Sequence, residues 1–446
     1  MSALSSNSYK GSRDFYPADK RVQNYIFSTW RKVAEGFGYE EYGAPLLEPI
    51  EVYAAKSGQE LVNEQTYSFV DRGDRTVAIR PEMTPTISRM VAARRQEMAY
   101  PARLYSIANF MRYERPQRGR EREFWQMNID MFGLDGPAAE AEMITMASRI
   151  MKAFGARDDM FVIRLNNRKL INLMMSEYLG LDAVQSHLMV KLFDRKDKIS
   201  TDEFKDQAIE IFGADGAIEG LNRISELLAC NSISDLPAQL KESQPGKELV
   251  TLSRMLSKSG VKSVRFDATL MRGLDYYTGA VFEVFDTHPE NNRSLFGGGR
   301  YDGLVGLFGA EPISAVGMAP GGTTMEQFLK LHNLLPELPS TTDLYVVVLG
   351  NATEDALQLA DKFREEGVNV EVDITGRKLD KQIKTAVKKN ISHIIFVGED
   401  EVVNEIYPFK NTATTKEEKL SFERIVTTVK DYRHKTEEDD LDELFD

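Results

Sequence analysis

Cysteine is almost absent from this chain: Cys230 is the only one in 446 residues. That excludes an internal disulfide framework and thiolate zinc sites of the usual kind. Histidine is also sparse. His187, His288, His332, His393 and His434 lie far apart, with none at ligand spacing from another, so no zinc is expected. No run of about 18 apolar residues occurs, which argues against a membrane span. The first ten residues are polar and serine-rich, without the apolar stretch of a secretory signal, so a cytoplasmic protein is expected. Positive charge is in deficit, with 56 Lys and Arg against 69 Asp and Glu and a net charge of −13. An acidic total disfavours nonspecific nucleic-acid binding. Part of the deficit is local: residues 433–446 carry a net −5, leaving −8 on the rest, and read as a disordered acidic tail.

What is present describes a soluble globular protein, long enough for two or three domains with separate cores. After a turn-rich start at residues 11–17, Val22, Ile26, Trp30 and Val33 recur at helical spacing and predict a helix over 19–36. An extended segment (39–47) and a hairpin (66–70 with 76–80) follow. The sequence Pro81-Glu82-Met83-Thr84-Pro85 then leads into a helix at about 86–95, so Glu82 and Thr84 sit at a strand end and a helix start.

The chain is organised around residues 110–133. Two apolar or alternating flanks enclose a middle punctuated by Pro116 and Gly119, which predicts two strands joined by a long loop. Arg112, Arg115, Arg118, Arg120 and Arg122 against Glu114 and Glu121 give that loop a net +3. Guanidinium forks match phosphate oxygens, so a polyphosphate or a nucleic-acid end is one partner; a solvated, salt-bridged hairpin tip is the other reading. Strand alternation puts Phe124, Gln126, Asn128 and Asp130 on one face, where buried polar groups must be satisfied or used.

Further on, 136–154 reads as a helix and 161–165 as a strand. Residues 167–262 have helical periodicity and interleaved charges, and contain no catalytic-looking cluster. A segment rich in glycine, Gly297-Gly298-Gly299-Arg300-Tyr301-Asp302, allows close backbone approach. Residues 331–342, with Pro336 and Pro339, read as a linker; beyond them a βαβαβ pattern predicts a small α/β domain with parallel strands and a basic helix edge (Lys381, Lys384, Lys388 and Lys389).

The segment from Phe110 to Gln126, with Arg112, Glu114, Arg115, Pro116, Gly119, Arg120, Arg122 and Phe124, resembles motif 2 of class II aminoacyl-tRNA synthetases in the form carried by the histidyl-tRNA synthetase family. Arg272-Gly273-Leu274-Asp275-Tyr276-Tyr277 resembles a signature peculiar to that family, and 315–325 stands in the place of motif 3. The resemblance implies an α+β catalytic domain, a class II synthetase antiparallel sheet flanked by helices, with a helical insertion, plus a C-terminal α/β anticodon-binding domain. The expected boundaries are 1–166 and 263–330 for the catalytic domain, 167–262 for the insertion, 331–342 for the linker, 343–433 for the anticodon-binding domain and 434–446 for the tail.

It further implies a ligase that activates histidine with ATP and transfers it to tRNA(His), acting as a homodimer through the first helix and strand. Histidine would be bound by Glu82, Met83, Thr84, Arg112, Gln126, Asp130, Arg272, Tyr276 and Tyr277. ATP would meet Arg112, Glu114, Phe124 and Arg272, with Arg112 and Arg272 as the catalytic pair and Gln117 and Arg122 on the tRNA acceptor end. Many relatives carry Glu where Asp130 stands. ATP would arrive with Mg²⁺ held by carboxylates and phosphates, and no protein side chain is assigned as a metal ligand. The sequence departs from the family at the end of motif 3, where Thr324 replaces the arginine expected to cover adenine and touch the γ-phosphate. Two other readings stay open on that ground: a catalytically silent paralogue that senses histidine as a regulatory subunit, and a sensor of uncharged tRNA.

Overall fold

The computed structural model describes residues 4–54, 64–115, 119–196, 199–213, 216–271, 276–291, 293–414 and 416–442, the last nine as backbone. The chain divides into two compact units, Met1–Leu335 and Pro336–Asp446.

The first unit opens with α1 (Pro17–Gly36), β1 (Glu40–Glu41), β2 (Leu47–Pro49), α2 (Glu51–Ala54), β3 (Ser68–Val70) and β4 (Thr76–Ile79). Next come α3 (Thr84–Ala93), β5 (Ala102–Met111), β6 (Glu123–Phe132), α4 (Pro137–Ala153) and β7 (Phe161–Asn167). A helical stretch follows: α5 (Arg168–Leu173), a π-helical turn at Met174–Tyr178, α6 (Ala183–Arg195), α7 (Thr201–Phe212), α8 (Ala217–Ala229), α9 (Ala238–Glu242) and α10 (Gln244–Lys258). The unit closes with β8 (Val264–Phe266), β9 (Ala280–Asp286), β10 (Ser294–Arg300), β11 (Ala315–Met318) and α11 (Gly322–Leu331).

Eight strands form one sheet in the order β1-β5-β6-β11-β10-β9-β7-β8. The six inner strands are mutually antiparallel, and only the edge pairs β1·β5 and β7·β8 are parallel. The hairpin expected around the arginine loop is β5–β6, paired over ten residues from Ala102↔Phe132 to Met111↔Glu123. Alternation along β6 then divides its side chains. Met127, Ile129 and Met131 enter the main core with Trp30 of α1, Ile144 and Ile150 of α4 and Phe328 of α11. Phe124, Gln126, Asn128 and Asp130 take the other face.

The helical stretch shares this same core: Leu192, Phe193, Leu249 and Leu252 belong with Phe161 and Phe282 of the sheet. Its helices start where the sequence supplies caps, as at Ser200, whose hydroxyl accepts from the Glu203 amide, and at Asp182, which forms a capping box with Gln185.

The second unit contains β12 (Leu344–Val348), α12 (Thr353–Glu365), β13 (Val370–Val372), α13 (Leu379–Lys388), β14 (His393–Val397), α14 (Glu399–Asn404), β15 (Ile406–Asn411), β16 (Glu417–Ser421) and α15 (Phe422–Asp442). Its sheet runs β13-β12-β14-β15-β16. The expected βαβαβ core is parallel, and it is extended by the antiparallel pair β15–β16. The expected disordered tail from 434 is helical as far as Asp442. Residues 422–442 contain no proline or glycine, so nothing in them stops the helix once Ile425 and Val429 have docked it in the core.

Candidate active site

The site is built on the polar face of β6 and on the elements that cover it. At its buried end Asp130 pairs with Gly317 on β11. A Cβ at position 317 would stand 2.2 Å from Asp130 Oδ1, so only glycine leaves room for the carboxyl group against the strand. Tyr301, just past β10, donates its hydroxyl to Asp130 Oδ1 at 2.5 Å. The second oxygen, Oδ2, is buried and accepts no hydrogen bond among the described residues. Burial pushes the Asp130 carboxyl up to about 7, and the Tyr301 hydrogen bond opposes that rise.

Tyr276 joins this end. Its ring stands edge-on to Tyr301, with centroids 5.8 Å apart, and to Tyr277 at 5.2 Å. Its hydroxyl donates to Glu82 Oε2 at 3.1 Å. Glu82 is buried in the turn between β4 and α3, and Thr84 opens α3 beside it. The phenols of Tyr276 and Tyr277 are held above their ordinary range, chiefly by burial and then by the Glu82 charge.

Toward the other end of β6, Gln126 donates to Asn128 Oδ1 at 3.0 Å, and the face opens into a cleft of about 180 Å³. Arg112, Glu114, Phe124, Gln126, Thr323 and Thr324 are among its walls. The Arg112 guanidinium lies 5.2 Å over the Phe124 ring and donates to the Pro81 carbonyl at 2.9 Å. Glu114 is shared between Arg112 at 4.0 Å and Arg120 at 3.1 Å. The opposite wall is the start of α11. There the Thr324 hydroxyl is directed to backbone carbonyls, Leu295 at 2.8 Å and Gly321 at 3.0 Å, so it caps the chain and presents no cation to the cleft.

Most of the residues expected from sequence thus converge: Glu82, Thr84, Asp130, Tyr276 and Tyr277 at the buried end, and Arg112, Glu114, Phe124 and Gln126 at the open end. Two are placed apart from this face. The Met83 side chain is fully buried against Ala108 and Phe110 and packs instead of facing the pocket. Arg122, expected at a tRNA end, is engaged within the chain by Tyr9, Lys10 and Glu114. Arg272 and Gln117 lie outside the described residues. Sequence reasoning missed Tyr301 as the partner of Asp130; the signal was an aromatic hydroxyl directly after a glycine-rich strand.

A six-stranded antiparallel core with a basic hairpin, a polar pocket at one end of the hairpin strand and an open cleft beside its arginines at the other defines a class II aminoacyl-tRNA synthetase catalytic domain. The histidyl-tRNA synthetase profile matches residues 11–321, and an anticodon binding domain profile matches 343–432. The chain is 39% identical over 432 residues to the histidine–tRNA ligase of Leptospira biflexa, covering 96% of this chain and 98% of the relative. It is 36% identical over 403 residues to that of Haloarcula marismortui, covering 90% and 92%. The crystal structure of a Nostoc histidyl-tRNA synthetase shares the fold with a TM-score of 0.82 at 24% identity, over 96% of this chain and 100% of that one. The chain belongs to the histidyl-tRNA synthetase family.

Proposed function

We propose that the protein is a histidine–tRNA ligase. In the first step the histidine carboxylate attacks the α-phosphorus of ATP and pyrophosphate leaves, giving histidyl-adenylate. In the second, the terminal ribose hydroxyl of tRNA(His) attacks the acyl carbon and AMP leaves. The observation that carries this reading is the single face of β6, which spans about 20 Å from Phe124 to Asp130 at about 3.4 Å per residue. That is long enough for an amino acid joined end to end with a nucleotide.

Among the described residues Asp130 Oδ2 is a free acceptor for an imidazole N–H; Tyr276 could serve the other ring nitrogen by turning its hydroxyl hydrogen from Glu82 to it, and Glu82 is a carboxylate for the ammonium group. Gln126 suits the polar end of the amino acid, Phe124 an adenine ring, and Arg112 the charge that develops on the phosphoryl oxygens. Arg272 is proposed for the same phosphoryl group and Gln117 for the acceptor end of tRNA, both on the family pattern. Mg²⁺ would come as part of the ATP substrate, held chiefly by its phosphates, with no side chain of this chain assigned to it. When bound it would neutralise phosphate charge.

The anticodon of tRNA(His) would be met by the second unit, a reading supported by its family match and by the lysine row of α13. The domain boundaries and the cytoplasmic location expected from sequence are retained as part of the proposal; among the described residues no helix is long and apolar enough to cross a membrane. Homodimerisation is supported by the exposed Leu47 and Phe69, which lie on one face of the small β2-β4-β3 sheet and offer apolar surface to a second copy.

The test is histidine-dependent ATP–pyrophosphate exchange by the purified protein, with Arg272→Ala as control. Exchange that requires histidine and disappears in the control supports the ligase. Histidine binding without exchange overturns it in favour of a sensor, the reading that Thr324 leaves open.

A further inference from the structure

We infer that Arg122 and the N-terminal segment around Tyr9–Arg13 form a strap that holds both walls of the nucleotide cleft in position, with Arg122 acting as a positioning residue and touching no ligand. The inference rests on the cleft's proposed use for ATP. Arg122 follows the arginine loop at the base of the hairpin, and it is 9% exposed. Its amide donates to the Gly11 carbonyl at 2.6 Å, and its own carbonyl accepts from the Arg112 amide at 2.8 Å. One residue therefore couples the N-terminal segment to the backbone of the cleft arginine.

The guanidinium adds a second set of contacts. It donates to the Tyr9 hydroxyl at 3.1 Å and to the Glu114 carbonyl at 3.2 Å, with the Lys10 carbonyl at 3.4 Å. It also lies 4.0 Å over the Tyr113 ring and 5.7 Å over Tyr9. A planar fork that stacks and donates in several directions is what arginine supplies and lysine does not. Gly11 adopts φ +89°, and a Cβ there would meet Arg122 Cγ at 2.7 Å, so the segment passes against the arginine stem.

The strap continues to the other wall. Arg13 pairs with Glu326 of α11 at 2.9 Å, four residues into the helix whose first turn lines the cleft. Across the cleft floor Thr323 donates to Glu121 Oε2 at 3.1 Å. Hairpin and helix are thus tied twice, once directly and once through residues 9–13. A chain with Thr324 in place of a nucleotide-facing arginine depends correspondingly more on Arg112 being held in register.

The test compares wild type with Arg122→Ala, Arg122→Lys and the milder Tyr9→Phe in full-length protein. Misplacement of Arg112 by an ångström is enough to cost up to about 100-fold, so Arg122→Ala should raise the ATP KM in pyrophosphate exchange roughly tenfold or more, with the histidine KM within about twofold. Arg122→Lys should recover only part of the loss, and Tyr9→Phe should fall between wild type and Arg122→Ala. Hydrogen–deuterium exchange, which needs no activity, should show faster exchange in both 8–14 and 108–115 in Arg122→Ala, with β7 unchanged. Unchanged protection in 8–14 overturns the strap, whether or not the enzyme is active. Normal pyrophosphate exchange with only tRNA transfer impaired also overturns it and returns Arg122 to a tRNA contact. A wild type that never exchanges pyrophosphate refutes the ligase reading and leaves the protection experiment to decide the strap.

Discussion

Asp130→Asn should make the fold more stable at alkaline pH while impairing the proposed reaction. The folded carboxyl ionises near 7, against 3.8 for an ordinary aspartate, because burial penalises its charged form. Below about pH 4 both folded and unfolded chains hold the proton, and the group costs nothing. Between 4 and 7 the unfolded chain releases its proton while the folded chain keeps it. The folded state then binds more protons, so stability falls as pH rises, and the full penalty stands above 7. About three pH units at about 1.4 kcal/mol each gives a penalty of about 4 kcal/mol at pH 8, of which roughly 2–3 kcal/mol accrues between pH 5 and pH 8.

Asparagine keeps the volume and an acceptor for Tyr301 but has no charge to desolvate. Urea unfolding followed by tryptophan fluorescence is a clean assay, since both tryptophans, Trp30 and Trp125, lie in the first unit. The stability difference between Asp130→Asn and wild type should grow by about 2–3 kcal/mol from pH 5 to pH 8. Parallel pH profiles for the two proteins would refute the reasoning. In the same variant, loss of a charged acceptor worth about 1.5–3 kcal/mol should lower kcat/KM for histidine by roughly 10- to 100-fold.

Tyr276→Phe removes the hydroxyl that donates to Glu82 at 3.1 Å. It should raise the histidine KM several-fold, for a hydrogen bond worth about 1 kcal/mol, and leave the ATP KM unchanged in pyrophosphate exchange. Glu140→Ala removes the carboxylate that holds the buried Arg300 guanidinium at 2.6 and 2.7 Å and leaves it with Asp302 at 3.2 Å and the carbonyls of Leu134 and Gly136. Breaking a buried pair outright costs about 3–5 kcal/mol, and because Asp302 stays as a partner the loss should be smaller than that; the unfolding midpoint of the first unit should still fall, and Glu140→Gln should recover part of it.

Sequence was most informative where local chemistry and local structure coincide. Pro116, Gly119 and the flanking alternation mark β5 and β6, and period-two patterning alone assigns Phe124, Gln126, Asn128 and Asp130 to one face. The βαβαβ pattern of the second unit was legible for the same reason. β16 was not, because residues 417–421 are almost wholly polar and exposed, and an edge strand that buries little carries no alternation. Met83 lies inside a motif, but its direction is set by packing on Ala108 and Phe110, which local sequence does not show. The full engagement of Arg122 is not legible in the sequence because two of its partners, Tyr9 and Lys10, lie more than a hundred residues earlier. A run of arginines gives the charge of a loop but not which guanidinium is already engaged elsewhere.

Burial along β6 is graded: the first four residues, from Glu123 to Gln126, are partly exposed, and the six from Met127 to Phe132 are buried. A ligand lying along this face therefore meets two dielectric environments. Phosphates, whose charge is costly to desolvate, belong at the open end, where Arg112 and solvent both reach them. A neutral heteroaromatic ring with one N–H to donate belongs at the buried end, where an isolated cation would be expelled and an apolar ring would leave Asp130 Oδ2 without a partner. Histidine joined to adenylate satisfies both demands in one orientation. The reverse orientation would bury phosphate charge against a carboxyl. Selectivity at the buried end thus comes from an acceptor that is costly to leave unsatisfied, and the alkaline stability gain expected of Asp130→Asn measures that cost in the absence of any ligand.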